Sequence, residues 1–139
     1  MKVALVHDFL LRHGGAEHVL KTLMDMYPDA PVYTLLYDKK KMNEVFPAER
    51  VITSKLQKFP RFLPGMHKFL FPLMPSAIEQ FDFSGFDVVI SSNSAYAHGI
   101  VTNLDTKHIC YYHSPMRYAW DYTHKYLKEQ NLGGIGELL

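Results

Sequence analysis

Several features that would mark common functional classes are scarce or missing in this sequence. Of its 139 residues, one is a cysteine, Cys110. A single thiol excludes an internal disulfide and a multi-thiolate zinc site, and it fits a reducing compartment, so the cytoplasm is the expected location. An excess of charge is missing as well: 15 Lys and Arg stand against 14 Asp and Glu, a formal net charge of +1. The only dense basic run, Lys39 to Lys41, opens a short helix-like stretch, and nucleic acid is not an expected partner. Long apolar runs are also lacking. The segment from Met1 to His7 is too short for a signal peptide or a membrane span and reads as a first strand.

Catalytic signatures are missing too. There is no Asp-x-Asp pair to hold a divalent cation, no phosphate-binding loop of the Gly-x-x-x-x-Gly-Lys type and no Gly-x-Ser-x-Gly elbow. The Gly-x-Gly-x-x-Gly dinucleotide fingerprint is likewise incomplete. The eight histidines are scattered without metal-site spacing, so no metal is expected.

What the sequence does contain is an alternation of apolar strand-like runs with helical patterns. This predicts an α/β fold: a Rossmann-like, doubly wound parallel sheet with helices on both faces, spanning residues 1–139 as one domain. The predicted strands are Lys2 to His7, Val32 to Leu36, Arg50 to Thr53, Phe86 to Ser91 and Lys107 to His113. Between the first two, Ala16, Val19, Leu20, Leu23 and Tyr27 recur at helical spacing, and Pro28 and Pro31 end that helix. Residues from Pro60 to Phe81, punctuated by Pro60, Pro64, Pro72 and Pro75, predict short broken helices. A last helix is predicted from Asp121 to Gln130. The chain then stops on the apolar Leu138 and Leu139, which suggests a natural protein that continues.

In an open parallel sheet, ligands bind beyond the carboxyl ends of the strands where strand order reverses. That rule selects the loops after the first strand (His7 to Gly15), the fourth (Ser91 to Ala95) and the fifth (His113 to Asp121). Gly14 and Gly15 precede a helix, so its N–H groups could face an anion such as a diphosphate; a tight turn is the commoner reason for two glycines. Glu17 suits the helix dipole, and Ser94 reads first as a helix cap and second as a ligand contact. Period-two alternation puts His108, Cys110 and Tyr112 on one face of the fifth strand and Ile109, Tyr111 and His113 on the other, so the two histidines cannot chelate one metal. Cys110 reads as a buried packing residue. His113, at the strand tip, could exchange a proton with a ligand or bond the next loop. Arg117 could meet phosphate or pair with Asp121, and Trp120 could lie under a sugar ring or in the core.

Taken in order, Val6-His7-Asp8-Phe9-Leu10, Gly14-Gly15-Ala16-Glu17, Pro72-Leu73-Met74-Pro75-Ser76-Ala77-Ile78-Glu79, Phe86-Asp87-Val88-Val89-Ile90-Ser91-Ser92 and His113-Ser114-Pro115-Met116-Arg117-Tyr118-Ala119-Trp120-Asp121 resemble the amino-terminal domain of the group 1 (family 4) glycosyltransferases. The segment from Ser92 to His98 departs from that pattern, which carries a histidine earlier and a lysine where His98 stands. The resemblance implies a GT-B enzyme of two Rossmann-like domains that transfers a sugar from a nucleotide-sugar donor, with retention, to a glycan or lipid-linked acceptor. It implies no metal and no other cofactor, and a carboxyl-terminal donor domain that this chain lacks. Gly14 and Gly15 would approach the donor diphosphate and sugar, and His113 would be the catalytic residue facing the reacting sugar. Glu17, Ser94, Arg117, Trp120 and Asp121 would line the acceptor side. Relatives using lipid-linked acceptors suggest peripheral contact with the inner membrane face through the Pro60 to Phe81 segment, against a reading in which those residues pack over the sheet. Two other classes compete: a stand-alone, non-catalytic sugar- or phosphate-binding domain, and, on fold class alone, a reductase.

Overall fold

The computed structural model describes residues 1–59 and 70–114. Strands β1 (Val3–Leu10), β2 (Val32–Tyr37), β3 (Val51–Thr53), β4 (Val88–Asn93) and β5 (Lys107–Tyr112) form one sheet in the order β3-β2-β1-β4-β5. Every pairing is parallel. Helices α1 (Gly15–Met26), α2 (Lys39–Met42) and α3 (Met74–Glu79) complete a Rossmann-like α/β architecture.

Alternation along β1 builds two cores. Val3 and Leu5 pack with Leu20 and Met24 of α1, while Ala4 and Val6 pack with Met74, Ala77 and Ile78 of α3. Helices therefore cover both faces, and each buried Leu, Ile or Met contributes roughly 1.5–3 kcal/mol. All six residues of β2 are buried, as a central parallel strand requires. The apolar stripe of α1 includes Met24, which the helical spacing of its neighbours had not singled out. Leu70, Met74 and Ile78 are buried against the sheet, so this part of the proline-punctuated segment packs inward; residues 60–69 lie outside the described region.

The carboxyl end of α1 is held from a distance. The Arg50 guanidinium donates to the carbonyls of Tyr27, at 3.0 Å, and Ala30, at 2.7 Å, which fixes the turn between α1 and β2.

Three expectations change. First, β1 runs on to Leu10, because Phe9 and Leu10 continue the pairing with Leu36 and Tyr37; His7 and Asp8 are therefore buried strand residues and the loop starts later. Second, β4 is displaced by two residues, so Ser91, Ser92 and Asn93 belong to the strand, all buried. Third, Cys110 is only half-buried, because β5 is an edge strand whose Ile109, Tyr111 and Tyr112 are exposed. Among the described residues no helix is long and apolar enough to cross a membrane.

Candidate functional site

From β1 the chain proceeds outward to β2 and β3 on one side of the sheet, and from β4 to β5 on the other. The order thus reverses between β1 and β4. At the carboxyl ends of those two strands lies an open cleft of about 670 Å³, lined by His7, Asp8, Arg12, Gly14, Gly15, Glu17 and Ser94 among others. The structure so brings together Gly14, Gly15, Glu17 and Ser94, four of the residues singled out in the sequence, at the place the topology favours for ligands. Arg117, Trp120 and Asp121 lie outside the described residues.

One wall of the cleft is fixed by Asp8. Its two carboxylate oxygens accept the backbone N–H groups of Ser94 (2.5 Å), Ala95 (2.9 Å), Tyr96 (2.7 Å) and Ala97 (2.6 Å). Four successive amides pointing at one centre form an anion-binding concavity, and here the chain's own carboxylate fills it. Ser94 is consequently not the cap. The short 3-10 turn Ala97–Gly99 has no side-chain cap of its own, and Asp8 from β1 performs that task across the strand boundary.

The opposite wall is the start of α1. Gly14 has φ −162°, an extended backbone open to any residue, and among the described glycines only Gly85 has positive φ. A left-handed turn therefore explains neither Gly14 nor Gly15. At Gly14 an added Cβ would stand 3.0 Å from Glu17 Oε2, the far end of a flexible side chain that would have to shift slightly to admit it. At Gly15 an added Cβ would meet nothing within 4 Å. Gly14 has no side chain to cap this helix end, and the Glu17 carboxylate accepts from its own backbone N–H in the first turn.

Between the walls runs a chain of polar side chains. Glu17 Oε1 bonds His7 Nε2 at 3.2 Å; His7 Nδ1 bonds Ser92 Oγ at 3.1 Å; Ser92 Oγ bonds His113 Nε2 at 2.7 Å. Each residue comes from a different element: α1, β1, β4 and the end of β5. His113 does not itself line the cleft among the described residues. It stands one strand away, joined to the cleft through Ser92. The Tyr111 ring packs beside it, with centroids 5.0 Å apart.

The electrostatics follow from this packing. Burial pushes Glu17 up, but the hydrogen bond from His7, its own backbone N–H and the nearby His7 and Arg12 outweigh it and hold the carboxyl below its ordinary 4.5. Burial lowers His113 from its ordinary 6.5; His7 acts in the same sense, and the pull of Asp8 and Glu17 does not offset them. His108 is separate. It bonds Ser91 at 2.7 Å on the other face of the sheet, and burial, then His98, lowers it. Among the described residues no three His, Cys, Asp or Glu side chains could share a metal ion.

Ser92, His7 and Glu17 have the composition of a hydrolytic triad. Ser92 is wholly buried, however, with its hydroxyl held between two imidazoles, so a substrate carbonyl has no route to it. The sequence reading missed the roles of His7, Asp8 and Ser92. The available signal was the persistence of polar side chains along strands whose neighbours are apolar.

No protein-family model, curated protein or solved structure matches this chain. The site therefore speaks through its own geometry and through the ordered motifs of the sequence.

Proposed function

We propose that this chain is the acceptor-side half of a retaining glycosyltransferase, which moves a sugar from a nucleotide-sugar donor to a glycan or lipid-linked acceptor in polysaccharide or cell-envelope glycan synthesis. The observation that carries the reading is Gly15. It lines the cleft at the first turn of α1, where neither its backbone conformation nor any described neighbour calls for a glycine. Close approach of a ligand does call for one. A diphosphate against the first turn of α1 meets the positive end of the helix dipole and the N–H donors that the Glu17 carboxylate leaves free. The exposed Arg12, on the rim of the same cleft, adds a cation.

In this reading Gly14 and Gly15 contact the donor, and the leaving diphosphate is stabilised by amides and a helix end, so a metal is not required. His113 acts at the reacting sugar, and Glu17 and Ser94, with Arg117, Trp120 and Asp121, receive the acceptor. A second Rossmann-like domain supplies the nucleotide site and closes over the cleft. The work takes place in the cytoplasm, at the inner membrane face when the acceptor is lipid-linked.

The test is a transfer assay with the complete gene product, a panel of nucleotide sugars, and free and lipid-linked glycan acceptors. Transfer with retention is expected, reduced about 100-fold or more by Gly15→Ala and by His113→Ala while the fold persists. Absence of transfer from every donor, or rates unchanged in both variants, would overturn the reading. Ligand binding without turnover would instead make the chain a non-catalytic sugar- or phosphate-binding domain.

A further inference from the structure

Strand β5 ends the sheet on the side away from β1 and carries few of the features that protect an edge. An edge strand offers unpaired N–H and C=O groups to other chains, and proteins usually blunt it with proline, a bulge or charge. The six residues Lys107–Tyr112 hold no proline and pair with β4 in unbroken register from Val88↔Lys107 to Asn93↔Tyr112. Lys107, at the first position, alone carries a permanent charge. Ile109, Tyr111 and Tyr112 are each more than half exposed.

The ladder decides which groups face outward. Lys107 N–H donates to the Asp87 carbonyl at 2.9 Å and His113 N–H to that of Asn93 at 3.0 Å, so Lys107, Ile109, Tyr111 and His113 turn their backbone toward β4. Alternate residues of a strand turn theirs to the opposite side. His108, Cys110 and Tyr112 therefore direct N–H and C=O groups away from the sheet.

A second copy of the strand fits that row in one register. Antiparallel pairing across a two-fold axis lets two opposed residues exchange both of their bonds. With Cys110 opposite Cys110 of the second copy, His108 lies opposite Tyr112 and Tyr112 opposite His108, so all three outward residues of each copy are paired. Sliding the copies by two residues either way leaves one of the three without a partner in the strand. On the other face the same register sets Ile109 against Tyr111, an aliphatic–aromatic pair of the kind that stabilises sheets. Lys107 meets His113, not a second lysine.

We propose that β5 is a self-pairing edge: two copies of this chain join antiparallel through it, with Cys110 on the two-fold axis, and their five-stranded sheets become one. The two half-exposed tyrosines present on the order of 100 Å² each. With Ile109 and the backbone edge the contact stays below the roughly 1,200 Å² at which standard interfaces begin, so the dimer is weak and forms with concentration. A formal net charge of +1 puts little repulsion between copies. The pairing lies beyond β4 from β1 and does not depend on the function proposed above.

Sedimentation equilibrium of the 139-residue chain tests this, from about 5 to about 500 µM, the range a small contact requires. The mass should rise from 16.1 kDa toward twice that value. Diamide, which takes one hydrogen from each thiol, should then link Cys110 to Cys110 as a disulfide, because opposed residues stand about 5.5 Å apart. Ile109→Lys, at an exposed position, should weaken the dimer about tenfold by removing both Ile–Tyr pairs. Adding Tyr111→Glu to it sets opposite charges against each other in this register alone and should restore pairing at low salt. A chain that stays monomeric throughout, or a dimer without the Cys110 cross-link, would overturn the proposal. So would a Cys110 shielded from a thiol reagent in the monomer, which would show the edge covered by another part of the chain.

Discussion

The carboxylate of Asp8 stands 2.6 Å from the backbone nitrogen of Ala97, a residue 89 positions further along the chain, and closes a ring of four amide donors that begins at Ser94. This contact joins the end of β1 to the turn after β4, the two strands between which the sheet reverses its order.

Replacing that carboxylate by an amide keeps the size and loses half of the acceptors. In Asp8→Asn one oxygen remains and an NH₂ group is turned toward N–H donors, leaving buried donors without a partner. The expected loss is about 3–5 kcal/mol, several times that of a surface substitution, read by urea unfolding. Amide exchange should accelerate first at residues 94–97. A loss below about 1 kcal/mol would show that the ring is not a structural element.

The two glycines of the cleft should separate from each other. Gly15→Ala meets open space and should leave stability unchanged or raised by up to about 1 kcal/mol, because alanine reduces the freedom of the unfolded chain. Gly14→Ala pushes against Glu17 Oε2 and should displace that carboxylate from His7. Thermal unfolding reads the first effect, and the NMR signals of the His7 imidazole read the second. A destabilised Gly15→Ala would restore the view that the pair exists only to shape the turn.

Acid should weaken the fold in two stages. His113 and His108 are both lowered from 6.5 in the folded chain, so the unfolded chain binds protons first, and stability falls as pH drops through 6.5 until the folded values are reached. Glu17 is lowered from 4.5, so its contribution is present above that value and is lost as pH falls through the folded one. The melting temperature should therefore decline from pH 7.5 toward pH 5.5 and again below about pH 4.5. Removing both histidines, in His108→Asn with His113→Asn, should flatten the first stage. A melting temperature that rose on acidification to pH 5.5 would contradict the packing of both rings.

Arg50→Met keeps the length of the side chain and removes the donors to Tyr27 and Ala30. The expected cost is about 1–3 kcal/mol, with fraying at the end of α1 visible in hydrogen exchange.

Much of the fold was legible because it rests on local periodicity. Short runs rich in Val, Ile or Tyr marked β1, β2 and β5, and Leu20 and Leu23 at helical spacing marked α1. The strand ends were not legible, because the polar residues His7 and Asp8, and Ser91 to Asn93, read as strand tip and loop. They stay in strands only because each finds a partner outside its own segment: Asp8 at Ser94 to Ala97, His7 at Glu17 and Ser92, Ser91 at His108. The position of Gly14 and Gly15 was readable, yet the reason for each was not, since clearance around a missing Cβ exists only in three dimensions. His113 was readable as a strand tip, but its coupling to the cleft depends on β4 lying between it and β1.

The open space at Gly15 also makes this position an attachment point for a reporter. The chain holds one other thiol, Cys110, on the edge strand, so Gly15→Cys combined with Cys110→Ser yields a single labelling site at the mouth of the cleft. A fluorophore tethered there would sense whatever enters, by quenching or by exclusion of its own linker. Candidate ligands could then be screened before any reaction is known.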